Sequence, residues 1–136
     1  MLEHKVQIAE LFLRIFAGIL FLFQGYDKLF RVKIKGVVET FSPEASQNHI
    51  AQPILFLFAY YTSCVEFFGG MFLLLGFMTT YTLITLGIDL LLVSLAFSFI
   101  SAMWDMRFLL PRFLLVIVLL VLPDDYRLFC LDRYLF

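Results

Sequence analysis

Four ionisable side chains stand inside otherwise apolar stretches of the chain: Arg14, Glu66, Asp89 and Arg112. Two carboxylates and two guanidiniums at such depth fit two kinds of chemistry. They lock helices together through ion pairs and hydrogen bonds, or they line a polar hollow that binds a small polar headgroup and exchanges protons with it. Each isolated charge in hydrocarbon costs about 2.5–3.5 kcal/mol, so four facing lipid would cost on the order of 10 kcal/mol, comparable to the stability of a whole fold. All four are therefore predicted to point inward. Glu66 and Asp89 fall near the middle of neighbouring antiparallel stretches and are the candidates for proton transfer. Arg14, Gln24, Tyr26, Lys28 and Arg112 are the candidates to orient a headgroup.

Helical periodicity agrees with this placement. Arg14, Gly18, Phe21, Gly25 and Lys28 share one face, as do Thr62, Glu66, Gly69 and Leu73, and as do Thr82, Thr85, Asp89, Leu92 and Ala96. Small residues flank the charges where helices must approach closely. The run Gln24-Gly25-Tyr26-Asp27-Lys28 at one end of an apolar segment either lines a cavity mouth or is a snorkelling lysine beside an interfacial tyrosine.

The elements that must carry these residues follow from composition. Of 136 residues, 62% are apolar, 18% aromatic and 15% charged, against about 25% charged in soluble domains. The mean hydropathy of +0.96 excludes a water-soluble fold. Apolar stretches at 8–29, 53–77, 81–102 and 105–122 are read as crossings of about 20 residues each, the last needing an early start to reach across. The first is too long and too aromatic at its end for a cleaved signal sequence, so it is expected to be retained. The predicted fold is all-α, a membrane-spanning four-helix up-down-up-down bundle forming a single domain over 1–136, with both termini on one side. The connection 31–52 is expected to lie at the interface, with a short helix over Gly36 to Phe41, and a polar turn is placed at Thr79 and Thr80. Tyr26, Tyr60, Tyr61, Tyr81, Trp104, Tyr126 and Tyr134 are read as headgroup-level rings near helix ends. Lys28, Arg31, Lys33, Lys35 and Arg107 on the long-loop side outnumber Lys5, Arg127 and Arg133 on the other, which favours that loop in the cytoplasm.

Several chemistries are excluded. Four crossings leave no room for a soluble catalytic or nucleotide-binding domain, and a net charge of −1 implies no nucleic-acid partner. His4 and His49 lie outside the crossings, so no bis-histidine haem is expected between them. Cys64 and Cys130 form no Cys-x-x-Cys pair, and no structural metal is expected. Phosphate-loop, Gly-x-Ser-x-Gly and His-Glu-x-x-His patterns are absent.

The run Leu13-Arg14-Ile15 through Phe23-Gln24-Gly25-Tyr26-Asp27-Lys28-Leu29-Phe30, with Val65-Glu66-Phe67-Phe68-Gly69-Gly70 and Leu73-Leu74-Leu75-Gly76-Phe77, resembles the DoxX family of small four-helix membrane proteins. The ending Leu131-Asp132-Arg133-Tyr134-Leu135 is similar to the family's as well. The resemblance implies a bacterial inner-membrane protein associated with redox metabolism, with a quinone as ligand and a soluble or membrane redox partner. Arg14, Gly25, Lys28, Glu66, Gly69, Gly70 and Asp89 match the family's recurring polar and glycine sites. Gln24 stands where many relatives carry His, and an amide hydrogen-bonds but does not titrate. The leading expectation is a quinone-interacting redox component; the alternatives are an anchor or assembly subunit without chemistry of its own and a small proton-coupled exporter. The sequence fits a monomer and a homo-oligomer equally.

Overall fold

The structure, a computed structural model, describes residues 1–36, 38–39, 51–100, 106–127 and 129–135. It is all-helical, with no strand among the described residues. Helix α1 covers Leu2–Tyr26 and runs without interruption into one π-helical turn, Asp27–Arg31. Helix α2 covers Gln52–Leu75, α3 Thr79–Ile100 and α4 Met106–Val121. A 3₁₀ turn at Asp124–Tyr126 and a short helix α5, Leu131–Leu135, follow α4. By length and composition, Leu2–Arg31, Pro53–Leu75 and Thr79–Ala96 suffice to cross a membrane. The fourth apolar helix is shorter, Leu109–Val121; at 1.5 Å per residue the 16 residues of α4 reach roughly 24 Å against a hydrocarbon core of about 30 Å.

Local signals set the boundaries. Ala51 is extended and Pro53 sits in the first turn of α2, where its missing N–H leaves no bond unmade. Gly76 ends α2 in the left-handed region at φ +66°, with its N–H on the Leu73 carbonyl at 3.2 Å and that of Phe77 on Phe72 at 3.0 Å. The polar turn expected at Thr79 and Thr80 lies instead at Gly76 to Met78, and both threonines belong to the first turn of α3. Glycine at the left-handed position stops the helix before the hydroxyl residues do. The expected short helix over 36–41 is helical at Gly36, Val38 and Glu39; the rest of it, most of the loop and Trp104 lie outside the described residues.

Packing begins with α1 against α2. Gly25 lies so close to Phe67 that a Cβ would overlap the Phe67 backbone, and Gly70 meets the Leu22 backbone in the same way. These contacts pair residues of rising number on α1 with falling number on α2, so the two are antiparallel. Gly69 packs on Leu86 of α3, and Gly87 faces Val116 of α4. Ala17, Phe21, Leu73, Leu83, Leu86, Leu90, Val116 and Leu119 form the wholly buried centre. A second cluster, Ile34, Val38, Leu55 and Ala59, holds the chain after the π turn against the start of α2.

On α1 and α2 the inward faces are those the periodicity predicts. On α3 the buried stripe is Thr82, Leu83, Leu86, Asp89, Leu90 and Val93, while Thr85 and Leu92 turn outward. The stripe follows i, i+3, i+4 and i+7 spacing, which two of the expected residues overshoot. Tyr60 and Tyr61 stand in the third turn of α2 rather than at its end, and both are exposed.

Candidate functional site

The π turn Asp27–Arg31 places Lys28. Such turns insert an extra residue and recur where a helix must re-aim a side chain. Here the Lys28 Nζ donates to Glu66 Oε2 at 2.8 Å. Glu66 is 1% exposed, while the Lys28 side chain keeps 26%, its stem reaching inward to the buried carboxylate. Glu66 is delivered by the same face of α2 that carries Thr62, Gly69 and Leu73, and the close approach at Gly25 brings the two helices near enough for the lysine to span the gap.

Asp89 of α3 is wholly buried, and neither carboxylate oxygen has a hydrogen-bond partner. The charges of both Glu66 and Lys28 act on it. Burying a polar group without a partner is costly, so a proton, a water or a ligand group must satisfy Asp89. Half-buried Arg112 of α4 feels the charge of Glu66, a second cation acting on that carboxylate beside Lys28. Gln24, one turn before Lys28, has its Oε1 buried and without a partner.

The other sequence candidates lie elsewhere. Tyr26 is 43% exposed and rests its ring on Phe30 at 5.1 Å between centroids. Arg14 lies 14 residues before Lys28, roughly 21 Å along the helix. Its Nε is 3.2 Å from Glu10 Oε1, with both side chains 1% exposed, and its Nη1 donates to the Leu73 carbonyl at 3.2 Å. Between the two polar groups along each helix stand the buried apolar side chains Phe21 of α1, Leu73 of α2, and Leu83 and Leu86 of α3. The structure thus pairs Lys28 with Glu66, sets Asp89 and Arg112 within range of that pair's charges, and places Arg14 in a second polar group.

Glu10 is the residue sequence reasoning missed. The signal was present, since Glu10 precedes Arg14 by four residues, the spacing at which a helix pairs opposite charges. The C-terminal segment closes the chain over this second group. Asp132 accepts the N–H groups of Met78 and Thr79 and donates its own N–H to the Gly76 carbonyl at 3.1 Å. Arg127 bonds Thr80 Oγ1 and Asp124, each at 2.8 Å. Cys130 is buried against Gly76, within the field of Arg14 and Glu10, and that burial pushes its thiol pKa up. No group of three or more His, Cys, Asp or Glu side chains among the described residues is arranged to hold a metal ion.

Three membrane-length helices, a part-buried lysine bonded to a buried glutamate, and an unpartnered buried aspartate define a multi-pass membrane protein with polar groups inside its apolar helices. The sequence model of the DoxX family matches residues 9–99, and the chain belongs to the DoxX family. That match contains Arg14, Gln24, Lys28, Glu66 and Asp89, and leaves α4 and the C-terminal segment outside it. Comparison with curated proteins and with solved structures finds no match.

Proposed function

We propose that this chain is a quinone-interacting, redox-associated component of the bacterial inner membrane, with its ligand site at Lys28, Glu66 and Asp89. The observation that carries the reading is Asp89, wholly buried and bonded by neither oxygen, beside a lysine–glutamate pair. A quinone headgroup offers carbonyl acceptors and, once reduced, hydroxyl donors. The donor and acceptor inventory fits both forms: Lys28 Nζ and a protonated Asp89 carboxyl donate, while Glu66, Gln24 Oε1 and an ionised Asp89 accept.

When bound, a quinone supplies a carrier of two electrons and two protons. Asp89 holds one proton at its carboxyl, and the Lys28–Glu66 pair holds a second at Nζ. Arg112 offsets the negative charge of Glu66. Tyr26 and Arg14 stand outside this arrangement, Tyr26 exposed against Phe30 and Arg14 within the second polar group. Electrons come from a redox partner protein. Among the described residues the side chains between the two polar groups are apolar, Phe21, Leu73, Leu83 and Leu86, which favours a ligand site at one end over a proton path through the protein. An assembly subunit without chemistry is the remaining alternative, and Asp89 speaks against it, because a purely structural polar residue is ordinarily paired.

The test is binding of a short-tailed benzoquinone to the full chain in lipid nanodiscs. Wild type is expected to bind, with Asp89→Asn weakening binding at least tenfold at unchanged melting temperature and Glu66→Gln weakening it at least tenfold at a temperature where that variant remains folded. Equal binding by all three proteins, or none by wild type, overturns the reading.

A further inference from the structure

A groove of about 460 Å³ runs between α2 and α3, walled by Cys64, Phe68, Phe72, Tyr81, Thr85 and Leu86. Its lining is mainly apolar and belongs to helices of membrane length, so its mouth faces acyl chains rather than water. The groove flanks the candidate site at both walls. Val65, in its lining, immediately precedes Glu66 on α2. On α3, Thr82 and Thr85 line it, and Asp89 follows Thr85 by one helical turn. The Gly69–Leu86 contact puts α2 and α3 in register here, so Glu66 and Asp89 stand about one turn beyond that contact.

We infer that this groove seats the apolar tail of an amphiphile whose polar head is read at Glu66 and Asp89, so that the ligand arrives sideways from the bilayer. The inference rests on the ligand site proposed above and adds the class of ligand: a molecule with one extended apolar chain, not a small water-borne solute. Two observations argue for a tail rather than bulk lipid alone. The α3 wall of the groove ends at Leu86, about one turn short of the wholly buried Asp89 carboxyl that lacks a partner, and the headgroup that would satisfy it must bring its own chain through the same hydrocarbon layer. The lining is a mixture of rings and small residues, Phe68 and Phe72 beside Gly69 and Cys64, the kind of apolar concavity that holds a ligand. Moving a tail from lipid into this slot gains no hydrophobic energy, because both are apolar. Its contribution is packing and orientation, and a moderate affinity gain is expected.

The experiment uses the full chain in nanodiscs with two probes: a benzoquinone bearing a three-unit isoprenoid tail with a terminal diazirine, and the same headgroup without a tail. Irradiation is expected to cross-link the tailed probe to peptides containing Phe72 and Tyr81, at the end of the groove away from Glu66 and Asp89, with the label competed away by unlabelled tailed quinone. Thr85→Trp, which fills the groove from its lip, is expected to remove the cross-links and weaken the tailed probe about tenfold while leaving the tailless probe unchanged. Cys64→Phe serves as a second groove-filling variant if the first does not fold. Cross-links elsewhere, or equal tailed-probe binding by groove-filled protein, overturn the inference while leaving the headgroup site standing. Groove labelling by a diazirine phospholipid that quinone does not compete away means bulk lipid only, and also overturns it. Failure of both quinone probes to bind wild type brings down the ligand site itself and this inference with it.

Discussion

The Asp132 carboxylate caps α3 from 53 residues away, accepting the Thr79 N–H at 2.8 Å and the Met78 N–H beside it. The first turn of α3 thereby obtains from the far end of the chain what a Ser, Thr, Asp or Asn at its own N-cap would supply locally. The negative charge also suits the positive end of the helix. Asp132→Ala is expected to destabilise the protein by about 0.5–2 kcal/mol, the usual range for loss of a cap. Asp132→Asn is expected to retain most of that stability, because its amide oxygen still accepts. Thermal unfolding of the purified variants in one detergent measures both, and equal melting temperatures for Ala and wild type would remove the cap from the account.

The Lys28–Glu66 pair predicts an asymmetry between single and double substitutions. Lys28→Met leaves Glu66 buried without its cation, and breaking a fully buried pair costs about 3–5 kcal/mol. Lys28 retains 26% exposure, so about 2–3 kcal/mol is expected, with solvent screening reducing the loss. Lys28→Met combined with Glu66→Met is expected to recover much of it, since apolar replacements of a buried pair are often neutral. A double-mutant cycle in thermal or denaturant unfolding measures the coupling.

The Glu10–Arg14 pair is expected to be the more sensitive of the two, with both partners 1% exposed. Arg14→Met leaves Glu10 uncompensated and removes the bond to the Leu73 carbonyl, for a loss of about 3–5 kcal/mol. Glu10→Gln is expected to cost less, because Arg14 keeps that bond. Unfolding midpoints rank the two variants, and the reverse order would show that Glu10 rather than Arg14 organises this end of the bundle.

Gly25 is expected to tolerate no side chain. A Cβ there meets the Phe67 backbone, which has no rotamer to adopt, so α1 and α2 must separate. Gly25→Val is expected to destabilise the bundle and pull Lys28 away from Glu66, so that adding Lys28→Met to it costs less than in the wild-type background. Melting temperatures of the four proteins test this non-additivity.

Cys130 lies beyond α4 and takes its elevated pKa first from burial, with Arg14 acting in the opposite direction. The thiolate is the reactive form, so a raised pKa lowers its fraction at any given pH. Alkylation of Cys130 in the folded protein is expected to set in at higher pH than for a free thiol at about 8.5. Asp132→Ala, by loosening the segment over Gly76, is expected to speed it. Mass-spectrometric labelling across pH 7–10 follows the rate, and a reactive Cys130 at neutral pH would contradict its burial.

Much of this architecture is written locally. Apolar runs with few charges specify helices of membrane length, and the spacing of Arg14, Phe21, Gly25 and Lys28 specifies which side of α1 turns inward. A charge at depth has so few affordable surroundings that its inward orientation follows from position alone. The likeness of Arg14 through Phe30 and Val65 through Gly70 to the DoxX family was likewise legible, because a family is recognised by residue order.

What the chain could not show along its length is which charge meets which. Lys28 and not Arg14 pairs with Glu66, because the π turn and the glycine contact at Phe67 set how far along α1 the glutamate lies. Asp132 reaches the start of α3 only because Gly76 turns the chain there and the last residues fold back over it. Pairing depends on distances across helices, and those distances are decided by backbone approach and turn geometry, which periodicity within a single helix does not encode.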